Sequence, residues 1–210
     1  GYEPKTYTCA DINHDGVRDV IDVVKLVGYA FRGEPEPEPK WIGDMNGDGV
    51  IDVIDVVKLV GYVFRGESEP TCTASPVVIS SSGTLSLGSA SGTTTKTIPV
   101  YLRNKENVAG ASFLLSYDAT KLYIKDIRKA SRTANMDLVR NGNIFSLIKQ
   151  DGSQIIPKGT EAIAYIDVSA GKAGFDVSTL NVVAANVANP DAKKIEVKIN
   201  FSSGAEKLAN

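Results

Sequence analysis

DINHDGVRDVIDVVKLVGYAFRG, residues 11–33, recurs as DMNGDGVIDVIDVVKLVGYVFRG, residues 44–66, with four differences in 23 positions at an offset of 33 residues. A match this close marks the duplication of one small structural unit. Each copy opens with the acid-and-amide alternation of a calcium loop. In the first, Asp11, Asn13 and Asp15 take loop positions 1, 3 and 5, so that alternate side-chain oxygens can converge on one centre. Gly16 permits the sharp turn, Val17 offers its carbonyl, Asp19 acts through water, and Asp22 closes the shell with both oxygens. The second copy repeats the set with Asp44, Asn46, Asp48, Gly49, Val50, Asp52 and Asp55. Oxygen donors of this kind suit Ca²⁺ better than Mg²⁺ or a softer metal, which predicts one Ca²⁺ per loop. The carboxylates of an empty loop repel one another, so the segment is expected to be poorly ordered without metal.

A helix is predicted behind each loop. Asp19 with Asp22, and Asp52 with Asp55, stand at N-cap and N3 spacing, so the same acids can start the helix. Val20, Val23, Val24, Val27, Ala30 and Phe31 then recur at three- and four-residue steps as one apolar stripe. Gly33 and Gly66 end the helices.

Neither loop has room for the entering helix of a full EF-hand, since only a short stretch precedes Asp11 and the acidic, proline-spaced EPEPEPK run precedes Trp41. A loop plus one helix, present twice and with Asp at position 12, resembles the type I dockerin module over roughly residues 9–72. The resemblance implies a small all-α module that binds two calcium ions and docks on a cohesin-type domain. It also implies partner contacts at Val20, Ile21, Val27, Gly28 and Arg32, and at Val53, Ile54, Val60, Gly61 and Arg65. Aliphatics stand at the first two positions of each set, where many dockerins carry hydroxyl residues, so a different specificity is expected; packing inside the module is the alternative for these aliphatics. The chain departs from the family pattern at loop position 8, which is Ile51 in the second copy but Arg18 in the first.

Cys9 and Cys72 bracket the duplication. A pseudo-twofold repeat brings its ends together, so a Cys9–Cys72 disulfide is geometrically reasonable, two free thiols being the alternative. A disulfide together with calcium loops points to a secreted, extracellular or cell-surface setting. No basic, apolar leader opens the chain, which reads as a mature secreted form or an excised piece.

From about Val77 the pattern changes from helical steps to alternation. Ile98, Val100 and Leu102 form one period-two run; Ala111, Phe113, Leu115 and Tyr117 form another; Ile195, Val197, Ile199 and Phe201 form a last one. Val77–Ser80, Lys121–Ile127, Asn143–Lys149, Glu161–Val168 and Leu180–Val183 are further candidate strands. Short strands between turn clusters predict an antiparallel sandwich large enough for its own core. The order TKTIPVYLRN, VAGASFLLSYDATKLYIKDI, GTEAIAYIDV, IEVKINF resembles a cohesin domain across residues 77–203, with Tyr117 and Asp118 closing its second strand. The organisation read from sequence is thus a module at 1–72, a linker at 73–76, a jelly-roll-like sandwich at 77–203 and a tail at 204–210.

Nothing in the residues points to catalysis. The single histidine, His14, is at a non-ligand loop position, and neither a nucleophile elbow nor a phosphate-cradling glycine loop occurs. No basic block for nucleic acid and no membrane span is read from a chain of net charge −2. Charge is unevenly placed: residues 1–72 carry 7 basic and 14 acidic groups, and residues 73–210 carry 16 and 11. The halves therefore attract in a salt-sensitive way. The resulting expectation is a calcium-dependent assembly protein, its first module meeting a cohesin-type domain and its sandwich meeting a dockerin-type module. A linker reaching at most about 18 Å makes folding back awkward, so association between chains, repeated into a head-to-tail filament or homo-polymer, or an adaptor role, is expected. The alternatives are a carbohydrate-binding module tethered by a dockerin, disfavoured because the one tryptophan, Trp41, lies in the first module, and a non-catalytic fragment of a larger enzyme.

Overall fold

Asp19 and Asp52 each start a helix as the sequence predicts. Each carboxylate accepts from the backbone N–H two residues on, at 2.7 Å, while Asp22 and Asp55 bond back to the N-cap N–H at 2.9 Å. The helices are α1 (Val20–Arg32) and α2 (Val53–Arg65). Gly33 and Gly66 close them at φ 74° and 68°, the left-handed region that glycine enters without steric cost. The computed structural model describes residues 7–73 and 79–200. Most of the predicted linker, the first residues of the strand expected at Val77–Ser80, Phe201 of the last run and the tail lie outside those residues.

The module's core is Ala10, Ile12, Val23, Leu26, Val27, Phe31, Ile42, Met45, Val56 and Leu59, all buried. The two loops are tied back to back by an Ala10 N–H donating to Ile42 O at 2.8 Å. Cys9 and Cys72 are bonded, with Cα atoms 5.6 Å apart. Closing a loop of 63 residues stabilises by about 4 kcal/mol in the chain-entropy account.

The rest is mainly β, with short 3-10 turns at Ser131–Thr133 and Val177–Thr179: β1 (Ile79–Leu87), β2 (Lys96–Arg103), β3 (Gly110–Ser116), β4 (Leu122–Lys129), β5 (Asp137–Asn141), β6 (Ile144–Ile148), β7 (Ala162–Ala170), β8 (Asn181–Ala188) and β9 (Lys194–Asn200). Their order is β4-β7-β2-β1-β9-β8-β3-β6-β5. The register between β8 and β9 is held at Ala188 and Lys194 alone, so the order folds there into two layers. Val100, Leu102, Ile166 and Val168 of one layer pack with Phe113, Phe145 and Leu147 of the other in a single core. The rings of Phe113 and Phe145 lie 4.9 Å apart at its centre.

The structure departs from the sequence reading in three places. β1 and β9 run parallel, so the sandwich is antiparallel except at that pair. β5 was not anticipated. The module is also not held away from its sandwich: Val53, Val57 and Val60 share one apolar cluster with Ala109, Ile148, Ala188 and Ala192. The physical reason lies in where the two units join. Arg65, at the end of α2, donates to Pro190 O at 2.9 Å beside the β8–β9 turn. Ile79, the first described residue of the sandwich, pairs with Lys194 at the same end. The module thus ends next to where the sandwich begins, and a short connection suffices.

Candidate functional site

The sandwich face under the module is the outer side of β8-β3-β6-β5. Side chains alternate along a strand, so with Ala111, Phe113, Phe145 and Leu147 in the core, Gly110, Ser112, Ser146 and Ile148 face the module. Gly110 decides how closely α2 approaches: a Cβ there would lie 2.5 Å from Val53 Cγ2 and 3.2 Å from Val57 Cγ2. Gly152 plays the same part at the other end, where a Cβ would meet Val60 Cγ1 at 2.6 Å and Arg65 Nη1 at 3.2 Å. Small residues on the sheet therefore form the recess into which the α2 valines pack. Nearer the outer edge, Gly33 sits against Asn141 of β5, and Val139 packs on the module's cluster.

This seating splits the duplicated helices. Val53 and Ile54 are 0% and 4% exposed, whereas Val20 and Ile21, their copies in α1, are 49% and 48% exposed. Val57 and Val24 differ in the same way. Of the other positions singled out by resemblance, Val27, Gly28, Val60 and Gly61 are buried, Arg65 is half-buried and Arg32 is exposed. Gly28 and Gly61 have a reason inside the module. The Glu34 and Glu67 carboxylates lie where their Cβ atoms would be, and the Glu34 and Glu67 N–H groups bond to the two glycine carbonyls at 3.1 and 3.2 Å.

The two loops share most of their hydrogen bonds, the second adding one from the Gly47 N–H to Asp44 at 2.8 Å. Asp11 accepts from the N–H groups of Asp15 at 3.1 Å and Gly16 at 3.0 Å, as Asp44 does from Asp48 at 3.1 Å and Gly49 at 2.8 Å. Asn13 donates to Asp15 at 2.7 Å and Asn46 to Asp48 at 2.9 Å. Asp22 takes the N–H groups of Ile12 and Asn13, and Asp55 those of Met45 and Asn46. Asp22 and Asp55 are fully buried. Burial pushes the Asp55 carboxyl up to about 7, with the Asp52 charge adding to it, and pushes Asp52 up to about 6. Asp22 is raised from the same principal cause. Among the described residues, no three acidic, histidine or cysteine side chains converge as a closed metal cage. Donor chemistry nonetheless fits Ca²⁺: carboxylate and amide oxygens stand at the spacing of a calcium loop, and the desolvation that raises Asp22, Asp52 and Asp55 is of the kind a bound cation would offset. Val17 and Val50 are exposed at the loop tips, with Asp15 and Asp48 accepting their N–H groups at 2.9 Å.

Arg18, the departure from pattern, is put to structural use. Its Nε donates to Cys9 O at 2.7 Å, Nη1 pairs with Glu69 at 2.7 Å, and the guanidinium lies 6.0 Å from the Tyr62 ring centre. It binds the first loop to the segment leading to Cys72.

Elsewhere on the sandwich, Ser131, Arg132, Met136, Gln154, Ile155 and Pro157 line an open cavity of about 380 Å³. Arg132 is already committed to carbonyls there, donating to Leu102 O at 2.6 Å and to Glu161 O at 3.2 Å.

The family described as cohesin domain matches residues 83–206. No curated protein matches the chain. Similar solved structures include the sixth cohesin of Acetivibrio cellulolyticus scaffoldin B, solved in complex with a Cel5 dockerin mutant: 15% identity, 57% of this chain and 94% of that one, TM-score 0.46. A non-cellulosomal cohesin from Archaeoglobus fulgidus matches at 19% identity over 56% of this chain and 86% of its own, TM-score 0.41. The type I Coh-OlpC–Doc435 complex of Clostridium thermocellum matches at 15% identity over 64% and 94%, TM-score 0.45.

Proposed function

Because the chain belongs to the cohesin domain family through residues 83–206, we propose that it is a non-catalytic assembly protein working by recognition between such a sandwich and a dockerin-type helical module. The observation that carries this reading is the seat of α2 on the β8-β3-β6-β5 face, where Val53 and Val57 enter the recess left by Gly110. A sheet face of small residues that accepts a helix is an interface and has no chemistry of its own. The N-terminal unit is read as the dockerin-type half, supported by its duplicated loops and helices. Its partner is a cohesin-type domain, the partner of the sandwich is a dockerin-type module, and both halves of such a pair are present in one chain.

Calcium is the expected cofactor, held by Asp11, Asn13, Asp15, Val17, Asp19 and Asp22 in one loop and by Asp44, Asn46, Asp48, Val50, Asp52 and Asp55 in the other. Bound Ca²⁺ would supply the positive charge that keeps these carboxylates ionised and the loops in shape. The Cys9–Cys72 bond supports an extracellular or cell-surface setting, and no described helix is long and apolar enough to cross a membrane.

Small-angle scattering of the whole chain, with calcium and with chelator, tests the reading. A compact particle is expected in calcium. Chelation should expand it and reduce its helical circular dichroism, and Gly110→Trp should expand it while leaving the helical signal in place. An envelope unchanged by both treatments overturns the proposal.

A further inference from the structure

We infer that the chain is closed on itself: the occupant of its docking face is its own N-terminal module, in cis, so that a foreign module reaches the face only when the resident one leaves. This rests on the recognition reading above and adds its regulation. Three observations carry it. The face is covered within one molecule, since Val53, Val57 and Val60 lie in one cluster with Ala109, Ile148, Ala188 and Ala192. A cross-unit hydrogen bond from Arg65 to Pro190 O pins the seat beside the junction of the two units. Opposite charge on the halves, 7 basic and 14 acidic groups in residues 1–72 against 16 and 11 in residues 73–210, favours the closed form.

Effective concentration makes this occlusion strong. A short tether holds the module at a local concentration in the millimolar range. A separate module of equal affinity must reach comparable concentration to displace it. A filament built on this face is disfavoured for the same reason: every copy's face is filled before a neighbour arrives. Assembly then depends on opening, and whatever unseats α2 sets two sticky surfaces free together.

Two full-length variants separate the possibilities. Val57→Asp spoils the module side and leaves the sandwich face bare; Gly110→Trp spoils the face and leaves the module free. Mixed in calcium and followed by light scattering, the two variants should form a 1:1 complex. Wild-type chain should remain a monomer alone and join neither variant. If the wild type binds both variants as readily as they bind each other, the recognition reading stands and self-closure is overturned. If the two variants, shown folded by circular dichroism, ignore each other, the recognition reading itself fails and closure with it. Should a variant not fold, the pair Val60→Cys with Gly152→Cys decides: an added disulfide within the monomer supports closure, and one found only in covalent dimers overturns it.

Discussion

Among the described residues Ser146 Oγ is buried with no hydrogen-bond partner, and its position between Phe145 and Leu147 turns it towards the module. An unpaired buried hydroxyl costs about 1–3 kcal/mol of desolvation. Ser146→Ala should therefore leave the sandwich intact and tighten the closed seat, raising the melting temperature by several degrees in a calorimetric scan; a fall would show that the hydroxyl has a partner in solution. The loop acids make a second prediction. Asp55 and Asp52 are raised from 3.8 to about 7 and about 6, principally by burial. A carboxyl that binds its proton more tightly when folded favours the fold below pH 3.8 and loses that contribution as pH rises through about 7. Acids lowered by their partners, such as Asp167 held by Arg128, act oppositely, but only below their ordinary values of 3.8 for aspartate and 4.5 for glutamate. Chelated protein should thus lose helix stability between pH 3.8 and about 7, whereas calcium-loaded protein should gain it over the same range as protons cease to compete for the oxygens. Thermal melts across that window check both signs, and a flat profile in chelator would remove burial as the controlling effect.

The duplicated helices have nearly the same sequence and different surroundings. An aspartate at Val57 of α2 is placed against Gly110, whereas an aspartate at Val24 of α1 stays largely in water, at 43% exposure. Val24→Asp should therefore change the melting temperature little, while Val57→Asp should cost about 2–4 kcal/mol through lost packing and a buried charge. Equal effects would mean that the module seats on either helix in solution. This asymmetry was not legible in the sequence. The loops, both helices, their aspartate caps and their terminal glycines were, because each depends on contacts within a few residues. The period-two runs of β2, β3 and β9 were equally plain, since one face of each meets the core. β5 was missed because it is only half-covered, with Leu138 against the sandwich core and Val139 against the module, so no side of it reads as apolar. The docking recess gave no hydrophobic signal either. Gly110, Ala109, Ala188 and Ser112 attract a helix by what they lack, and only the folded sheet brings them together. The parallel β1–β9 pair joins the sandwich's two ends in sequence, beyond the reach of any local pattern.

At the scale of the whole molecule, two kinds of force hold the halves together, and they answer differently to salt. The valine-to-glycine packing is apolar and strengthens slightly with an excluded salt such as sulfate. Attraction between halves of net charge −7 and +5 is screened within about 8 Å at physiological ionic strength. Two bound Ca²⁺ would reduce the first to −3, more than halving the electrostatic share while organising the surface that supplies the packing. Bound calcium would therefore weaken the long-range attraction and build the short-range contact. In calcium, raising sodium chloride from 50 to 500 mM should leave the scattering envelope nearly unchanged, because packing carries the closed form. In chelator any residual association of the halves is electrostatic, and the same titration should abolish it. An envelope that opens with salt in the presence of calcium would show that charge, and not the recess at Gly110, holds the module in place.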